Sequence, residues 1–510
     1  MGEIGERLNE CFRLHSLKLE NHPILGNIHL KFCQECHLEQ GVYTSVIIGP
    51  NGIGKSHLLR ILAEIFCCLE SLKKNTETRV PRYQFDIIYT SQWKRFEFAH
   101  FRGFPPESRH SNFFLYKREG NNVDVNQMEL PKRVIASSTT ITDKYVASST
   151  DMYRYKGLRN ENSPSQTGTR TMVRKTVESL LNSLKEKYGF KAELRNLLEN
   201  LNLQPKLELS YNLRYKDVFV NEHMTTGELI NIFENQKSLF KRETEIWGTK
   251  NFKKIKDNEP WKLDDASNLL RMLAQRGFGS GRNLLKYELL EDNPRVYEDR
   301  EGLKVLSTLD LLTYPTLKVY KERDNYTFEQ SSSGESSLFC QMVGIMSEIE
   351  PNSLVLIDEP ENSAHPNWQI SYIGWLKKIF AQYTNCHFVI STHSHFMLTD
   401  LEPLSSDIIA LEKKDAIIRN VSEGMNTFNW SVDDILYRVF HVRNTRNYVL
   451  ENKVIELYRL VSNRTGEKEK VIELIEELSR YQLNNDDPLL KLLKTAKEYV
   501  ESNRPNNIYP

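Results

Sequence analysis

A lysine, a few hydroxyls, two adjacent carboxylates and one histidine stand in settings that suit the handling of phosphate groups. Gly49-Pro50-Asn51-Gly52-Ile53-Gly54-Lys55-Ser56 forms a complete G-x-x-x-x-G-K-S loop. It follows the apolar run Val46-Ile47-Ile48 and precedes a helical pattern with Leu58, Leu62, Ile65 and Leu69 on one face. That pattern is a buried strand running through a glycine turn into a helix. The glycines let successive backbone N–H groups turn inward, and the helix N-terminus adds partial positive charge. Lys55 is expected to reach the β- and γ-phosphates, and the Ser56 hydroxyl to coordinate Mg2+. The contacts expected for a nucleoside triphosphate are Asn51, Gly52, Gly54, Lys55, Ser56 and His57, with ATP and Mg2+ as cofactors.

Leu354-Val355-Leu356-Ile357-Asp358-Glu359-Pro360 reads as a strand buried on both faces, with two acids at its C-terminal end. Parallel sheets bind ligands at that end. Asp358 is placed to hold Mg2+, and Glu359 to orient or deprotonate an attacking water. A further strand, His387–Ser391, leads to Thr392-His393, where a neutral imidazole could sense the γ-phosphate. Lys55, Glu359 and His393 are therefore the expected catalytic residues, and Ser56 and Asp358 the metal ligands. Ser331-Ser332-Ser333-Gly334-Glu335 opens another helix, so Ser332, Ser333, Gly334 and Glu335 offer a second anion-binding terminus.

These groups need a scaffold. Residues 12–19 and 28–32 alternate apolar and polar as half-buried strands do, and Phe85–Tyr89 with Arg95–Phe101 reads as a hairpin turning at Gln92. A second hairpin, Leu317–Tyr320 with Tyr326–Phe328, feeds the Ser331 turn. The expected divisions are a phosphate-loop half (1–165), a mainly helical insertion (166–302), a second half with the acidic strand (303–425) and a helical C-terminal region (426–510). The fold class is α/β with a mixed sheet. Heptads do not persist through the insertion, which excludes long coiled-coil arms. It carries Lys250, Lys253, Lys254 and Lys256 beside Trp247, Phe252 and Trp261, a mix that could meet DNA or RNA. Its stretch Gly277–Arg282 reads as a flexible loop. Ser431 is placed to cap a helix, with Arg438, His441, Arg443 and Arg446 after it, and the tail Asn503–Pro510 is expected to fray.

The 510 residues carry 68 basic and 68 acidic side chains, so any pull on nucleic acid or membrane must come from a local patch. No apolar run approaches the roughly 18–20 residues that span a bilayer, and no basic, apolar leader opens the chain. With seven scattered cysteines, this leads us to expect a cytoplasmic protein. Cys33-Gln34-Glu35-Cys36-His37 matches a haem-attachment pattern but reads as a loop between strands.

The order of phosphate loop, serine-glycine turn, Asp-Glu strand and histidine resembles the ABC-type ATPases, with their RecA-like, SMC-head-like core. In that class the residues after the catalytic Glu, here Asn362–Pro366, contact a second copy. Two positions depart from the pattern: Ser331 stands where Leu is usual, and Gln92 sits in a hairpin turn rather than in the expected Gln loop. The exit of strand Arg133–Ala136, at Ser137-Ser138-Thr139, is the better structural counterpart of that loop. Arg133–Ser138, Thr142-Asp143-Lys144, Tyr153–Arg159, Asp358–Pro366 and Trp430–Phe440 further resemble bacterial antiphage ATPases of the PtuA type, found in Septu and some retron-associated systems. The resemblance implies hydrolysis of ATP to ADP and phosphate without intrinsic nuclease activity. It also implies ATP-sandwich dimers and higher homo-oligomers, an HNH nuclease partner of the PtuB type, and contact with DNA, RNA or a retron reverse transcriptase and its nucleic acid. Two other readings stay open: a RecF- or SMC-like DNA-repair ATPase, and a nuclease of the overcoming-lysogenisation-defect kind. The latter needs an Asp-x-Asp metal cluster, and none follows Trp430.

Overall fold

The computed structural model describes residues 11–33, 42–102, 112–140, 142–159, 169–235, 247–292, 294–322, 325–328, 330–383, 385–414, 417–421, 427–440, 448–463, 468–480 and 488–502. The 34–37 part of the C-x-x-C-H pattern, His441, Arg443, Arg446 and the tail lie outside them, as does the Trp247 side chain. The chain forms two units, Met1–Ser431 and Val432–Pro510.

In the first unit, β1 (Phe12–His22) and β2 (Gly26–Lys31) form an antiparallel ribbon, and β3 (Tyr43–Ile48) runs into α1 (Lys55–Lys73). β4 (Gln84–Ser91), β5 (Lys94–Arg102), β6 (Asn112–Arg118) and β7 (Asn121–Asn122) extend the ribbon into a six-stranded sheet. Gln92 and Trp93 form the β4–β5 turn at φ +49° and +65°, the paired left-handed geometry that suits a two-residue hairpin loop. Next come β8 (Val134–Ser138), β9 (Tyr153–Lys156), α2 (Thr169–Glu186), α3 (Phe190–Asn200) and β10 (Leu207–Asn212). α4 (Thr226–Glu234), α5 (Trp247–Asn258), α6 (Lys262–Gln275), β11 (Leu284–Glu288) and α7 (Val296–Thr308) complete the inserted region. β12 (Thr316–Tyr320), β13 (Asn325–Thr327), α8 (Ser333–Glu348), β14 (Leu354–Asp358), α9 (Pro366–Ile379), β15 (His387–Ser391), β16 (Ser406–Lys414) and β17 (Ile417–Asn420) follow.

The central sheet has seven strands in the order β17-β16-β3-β15-β14-β8-β9, parallel except for the β16–β17 edge pair. Its middle strands are rich in Val, Ile, Leu and Phe and buried along their whole length, as a doubly covered parallel sheet demands. α1 buries Leu58, Leu59, Leu62, Ile65, Phe66 and Leu69 in one core shared by the central and six-stranded sheets. Phe66 meets Phe12 and Tyr89 edge-on at 5.7 and 5.3 Å. Each such aromatic pair adds about 0.5–1.5 kcal/mol beyond its buried area. The phosphate-loop helix is therefore clamped from both sides.

The insertion is helical with one correction. β10 and β11 pair with each other, and β10 also pairs with β12, giving a four-stranded sheet β11-β10-β12-β13. The hairpin expected in the ATPase half thus belongs to this second sheet. Within Gly277–Arg282 the Gly279 N–H donates to the Arg282 carbonyl at 3.0 Å.

The second unit contains α10 (Val432–Arg438), α11 (Tyr448–Asn463), α12 (Lys468–Ser479) and α13 (Pro488–Ser502). Leu457, Val471, Leu478, Leu489 and Ala496 form its own core.

Candidate functional site

Parallel pairing sets Asp358 opposite Ser391 on one side and Ser138 on the other, while β3 ends beside β15. The C-terminal ends of β3, β15, β14 and β8 therefore converge, and each releases a functional turn. Gly54 precedes α1 at φ +106°, and a Cβ there would stand 2.5 Å from Leu25 Cδ2 of the β1–β2 turn. Only glycine fits both the backbone and the space.

Lys55 Nζ donates to the Gly49 carbonyl at 2.8 Å and lies 3.2 Å from His393 Nδ1. Burial pushes its ammonium down to about 8, against the pull of Glu359, Glu361 and Asp358. The Nδ1 that accepts from Lys55 leaves Nε2 as the proton-bearing nitrogen, and Nε2 stands 3.4 Å from Glu359 Oε1. That hydrogen bond holds the Glu359 carboxyl below its ordinary value. Glu359 is thus an anion joined through His393 to Lys55.

The Ser56 hydroxyl donates to Asp358 Oδ1 at 2.9 Å, and Ser391 donates to the same oxygen. Burial raises the Asp358 pKa, against the Ser391 and Ser56 hydroxyls that donate to it. One hydroxyl and one carboxylate make a hard-oxygen donor set. It suits Mg2+, which keeps several waters and takes phosphate oxygens for its other ligands. Among the described residues no group of three His, Cys, Asp or Glu forms a cage for a metal ion.

Glu359 has φ +48°, a left-handed backbone uncommon outside glycine and asparagine. Its N–H donates to the Ser391 carbonyl at 3.0 Å, and the Thr139 hydroxyl donates to its carbonyl at 3.4 Å. Two residues on, half-buried Glu361 accepts the His393 N–H at 2.5 Å. Burial raises its pKa too. The acidic turn and the histidine turn are therefore tied at two points. The sequence reading missed Ser391 and Glu361, although a Ser ending a buried strand opposite Asp358 was a signal available once pairing was known.

The other expected contacts lie elsewhere. Ser332 caps α8 by accepting the Glu335 N–H at 3.2 Å, Glu335 pairs with Lys321 at 3.1 Å, and Ser333 begins the helix. A Cβ on Gly334 would fall 2.4 Å from the Ser363 carbonyl, so this helix start is pressed against the turn after Glu361. Its described contacts are not with Lys55 or Ser56. His57 faces a cavity of about 780 Å³ shared with His22, Arg60 and Glu64, and burial lowers its pKa. Asn51 and Gly52 lie exposed on the loop itself. In the basic stretch Phe252 stacks on Phe233 at 4.8 Å as core, while Lys253, Lys254 and Trp261 are exposed. Asp143 ties the 142–144 segment to β9 and its exit, accepting from Arg159 at 2.6 Å and from the Tyr155 hydroxyl at 2.7 Å.

A family described as "AAA domain, putative AbiEii toxin, Type IV TA system" matches residues 160–398, which include the acidic strand and His393 but not the phosphate loop. No curated protein matches. Among solved structures, the chain is similar to the SMC head domain from Thermotoga maritima at 10% identity and a TM-score of 0.33. That match covers 80% of this chain and 98% of the other. It is also similar to an SMC head bound to the C-winged helix domain of ScpA, at 11% identity and a TM-score of 0.30, covering 81% and 99%. The family match and the converging loop, acids and histidine support an ATPase of the ABC/AAA type. Among the described residues no helix is long and apolar enough to cross a membrane.

Proposed function

We propose that the chain is a cytoplasmic ABC-type ATPase that pairs with a second copy across Mg-ATP and regulates a separate HNH nuclease of the PtuB type in antiphage defence. The observation that carries the ATPase reading is the linked set Lys55–His393–Glu359 beside Ser56–Asp358. In the proposed cycle Lys55 leaves the Gly49 carbonyl for the β- and γ-phosphate oxygens. Mg2+, held through Ser56 and Asp358, would neutralise charge developing on those oxygens. Glu359 orients the attacking water and takes its proton as the bond from the γ-phosphorus to the bridging oxygen breaks. His393 turns its Nε2–H from Glu359 to the γ-phosphate and returns when phosphate leaves. Ser332 and the α8 start of the second copy cap the γ-phosphate from outside, so nucleotide binding favours pairing and hydrolysis releases it. The nuclease partner rests on the antiphage-like stretches.

The test pairs two variants. Glu359→Gln should keep ATP binding, lose turnover by roughly 10²–10⁴-fold as expected for a general base, and accumulate an ATP-dependent dimer on gel filtration. Lys55→Ala should bind no nucleotide. An Ala variant that still binds ATP normally would remove the phosphate-loop assignment. Failure of the full-length protein to co-purify with, or alter cutting by, an HNH nuclease encoded beside it would remove the partner.

A further inference from the structure

On the opposite side of β8 from the phosphate loop, a cavity of about 640 Å³ is walled by β8, β9, α2 and α8. Sites for small molecules commonly enclose about 300–1,000 Å³. Its carboxylates have cations of their own. Glu348 takes Lys156 at 2.7 Å, Glu350 takes Arg133 at 2.7 Å, Glu186 takes Arg300 at 2.9 Å, and Glu178 faces Arg174 at 3.9 Å.

Lys175 is different. Its Nζ donates to the Gly157 and Arg159 carbonyls and lies 5.3 Å from the Tyr155 ring centroid. Among the described residues no carboxylate comes within 4.0 Å of it. Burial pushes this ammonium down to about 8. A second observation comes from α8. Gln341 is only 4% exposed, and its Oε1 accepts from the Tyr372 hydroxyl at 2.8 Å. Gln341 lines the cavity, and its buried Nε2 has no hydrogen-bond partner among the described residues. An occupant with an acceptor atom would satisfy that unmet donor.

We propose that this cavity binds a small phosphate-bearing molecule, its anion facing Lys175 and an acceptor atom meeting Gln341 Nε2. The occupant would sit between two working parts of the ATPase reading, on which its regulatory role rests. Thr139, in the cavity wall, donates to the Glu359 carbonyl, and α8 carries the Ser332–Gly334 cap at its start. Binding would couple metabolite level to the catalytic turn and the pairing helix together.

Pyridoxal 5′-phosphate tests this on the full-length protein, since its aldehyde condenses with free amines and borohydride fixes the adduct. Peptide mass spectrometry then reads each lysine separately. Lys175 should label at least about tenfold faster than exposed Lys253 and Lys254, because its lowered pKa leaves more free amine at neutral pH. Adenosine monophosphate or orthophosphate should protect it. Equal protection by orthophosphate identifies free phosphate as sufficient, and protection by the nucleotide alone identifies a nucleotide. Labelling no faster than at Lys253 and Lys254, or protection by neither anion, overturns the proposal. Lys55 is an internal control. If Mg-ATP fails to protect Lys55 while the anions protect Lys175, the ATP reading falls and the cavity stands.

Discussion

The charge of Lys55 depends on its surroundings, and that gives nucleotide binding a pH dependence. In the free protein burial holds its pKa near 8, whereas bound phosphates favour the ammonium and raise it. Binding above pH 8 must therefore take up a proton. The sign follows: ATP affinity is constant well below pH 8 and falls above it, approaching about tenfold per pH unit. Isothermal titration at pH 7, 8 and 9 checks this, and equal affinities at pH 7 and pH 9 would contradict the proposed Lys55 environment. Lys55, Ser56, Asp358 and Glu359 were readable in sequence because each follows a short, fixed spacing from a strand end. Glu361 and Ser391 were not. Their roles come from pairing between β14 and β15, which brings together residues 32 positions apart, as in the Glu361–His393 hydrogen bond. Local spacing carries no record of that.

Among the elements, α8 is tightly constrained at its start. Its first turn abuts the segment after Glu361 so closely that Gly334 has no room for a Cβ, which would also lie 3.2 Å from Ala364 Cα. Both near atoms are backbone, so the helix start must move. Overpacking of this kind costs about 1–3 kcal/mol. Gly334→Ala should therefore shift the Ser332 cap, weakening ATP-dependent pairing in the Glu359→Gln background while leaving Mg-ATP affinity of the single chain unchanged. Gel filtration with and without ATP reads the first, and titration calorimetry the second. Unaltered pairing would show that the cap does not act across copies. The helices and the β4–β5 hairpin were legible because their periodicity is local. The sheet of β10, β11 and β12 was not, although Leu207-Glu208-Leu209-Ser210-Tyr211 alternates clearly. Its partners lie far along the chain, and the helical stretches between them dominate the composition.

Viewed as a whole molecule, every residue of the proposed chemistry lies in the unit ending at Ser431. The later unit buries Leu457 from α11, Val471 and Leu478 from α12, and Ala496 from α13 against one another in a core of its own. A chain ending at Ser431 should fold and bind Mg-ATP with an affinity within about 0.5 kcal/mol, or roughly twofold, of the intact protein, as independent sites do. It should also keep ATP-dependent pairing, because Ser332, Gly334 and the Asn362–Pro366 turn are retained. Titration calorimetry and gel filtration on the truncated and intact chains make the comparison. Loss of nucleotide affinity by a truncated protein whose circular dichroism and melting remain cooperative would mean that the helical unit completes the site. Retained affinity with loss of the nuclease interaction would instead place partner recognition in residues 432–510. The overall charge balance makes that separation testable at ordinary ionic strength, since neither unit relies on a field from the whole molecule to draw its ligand.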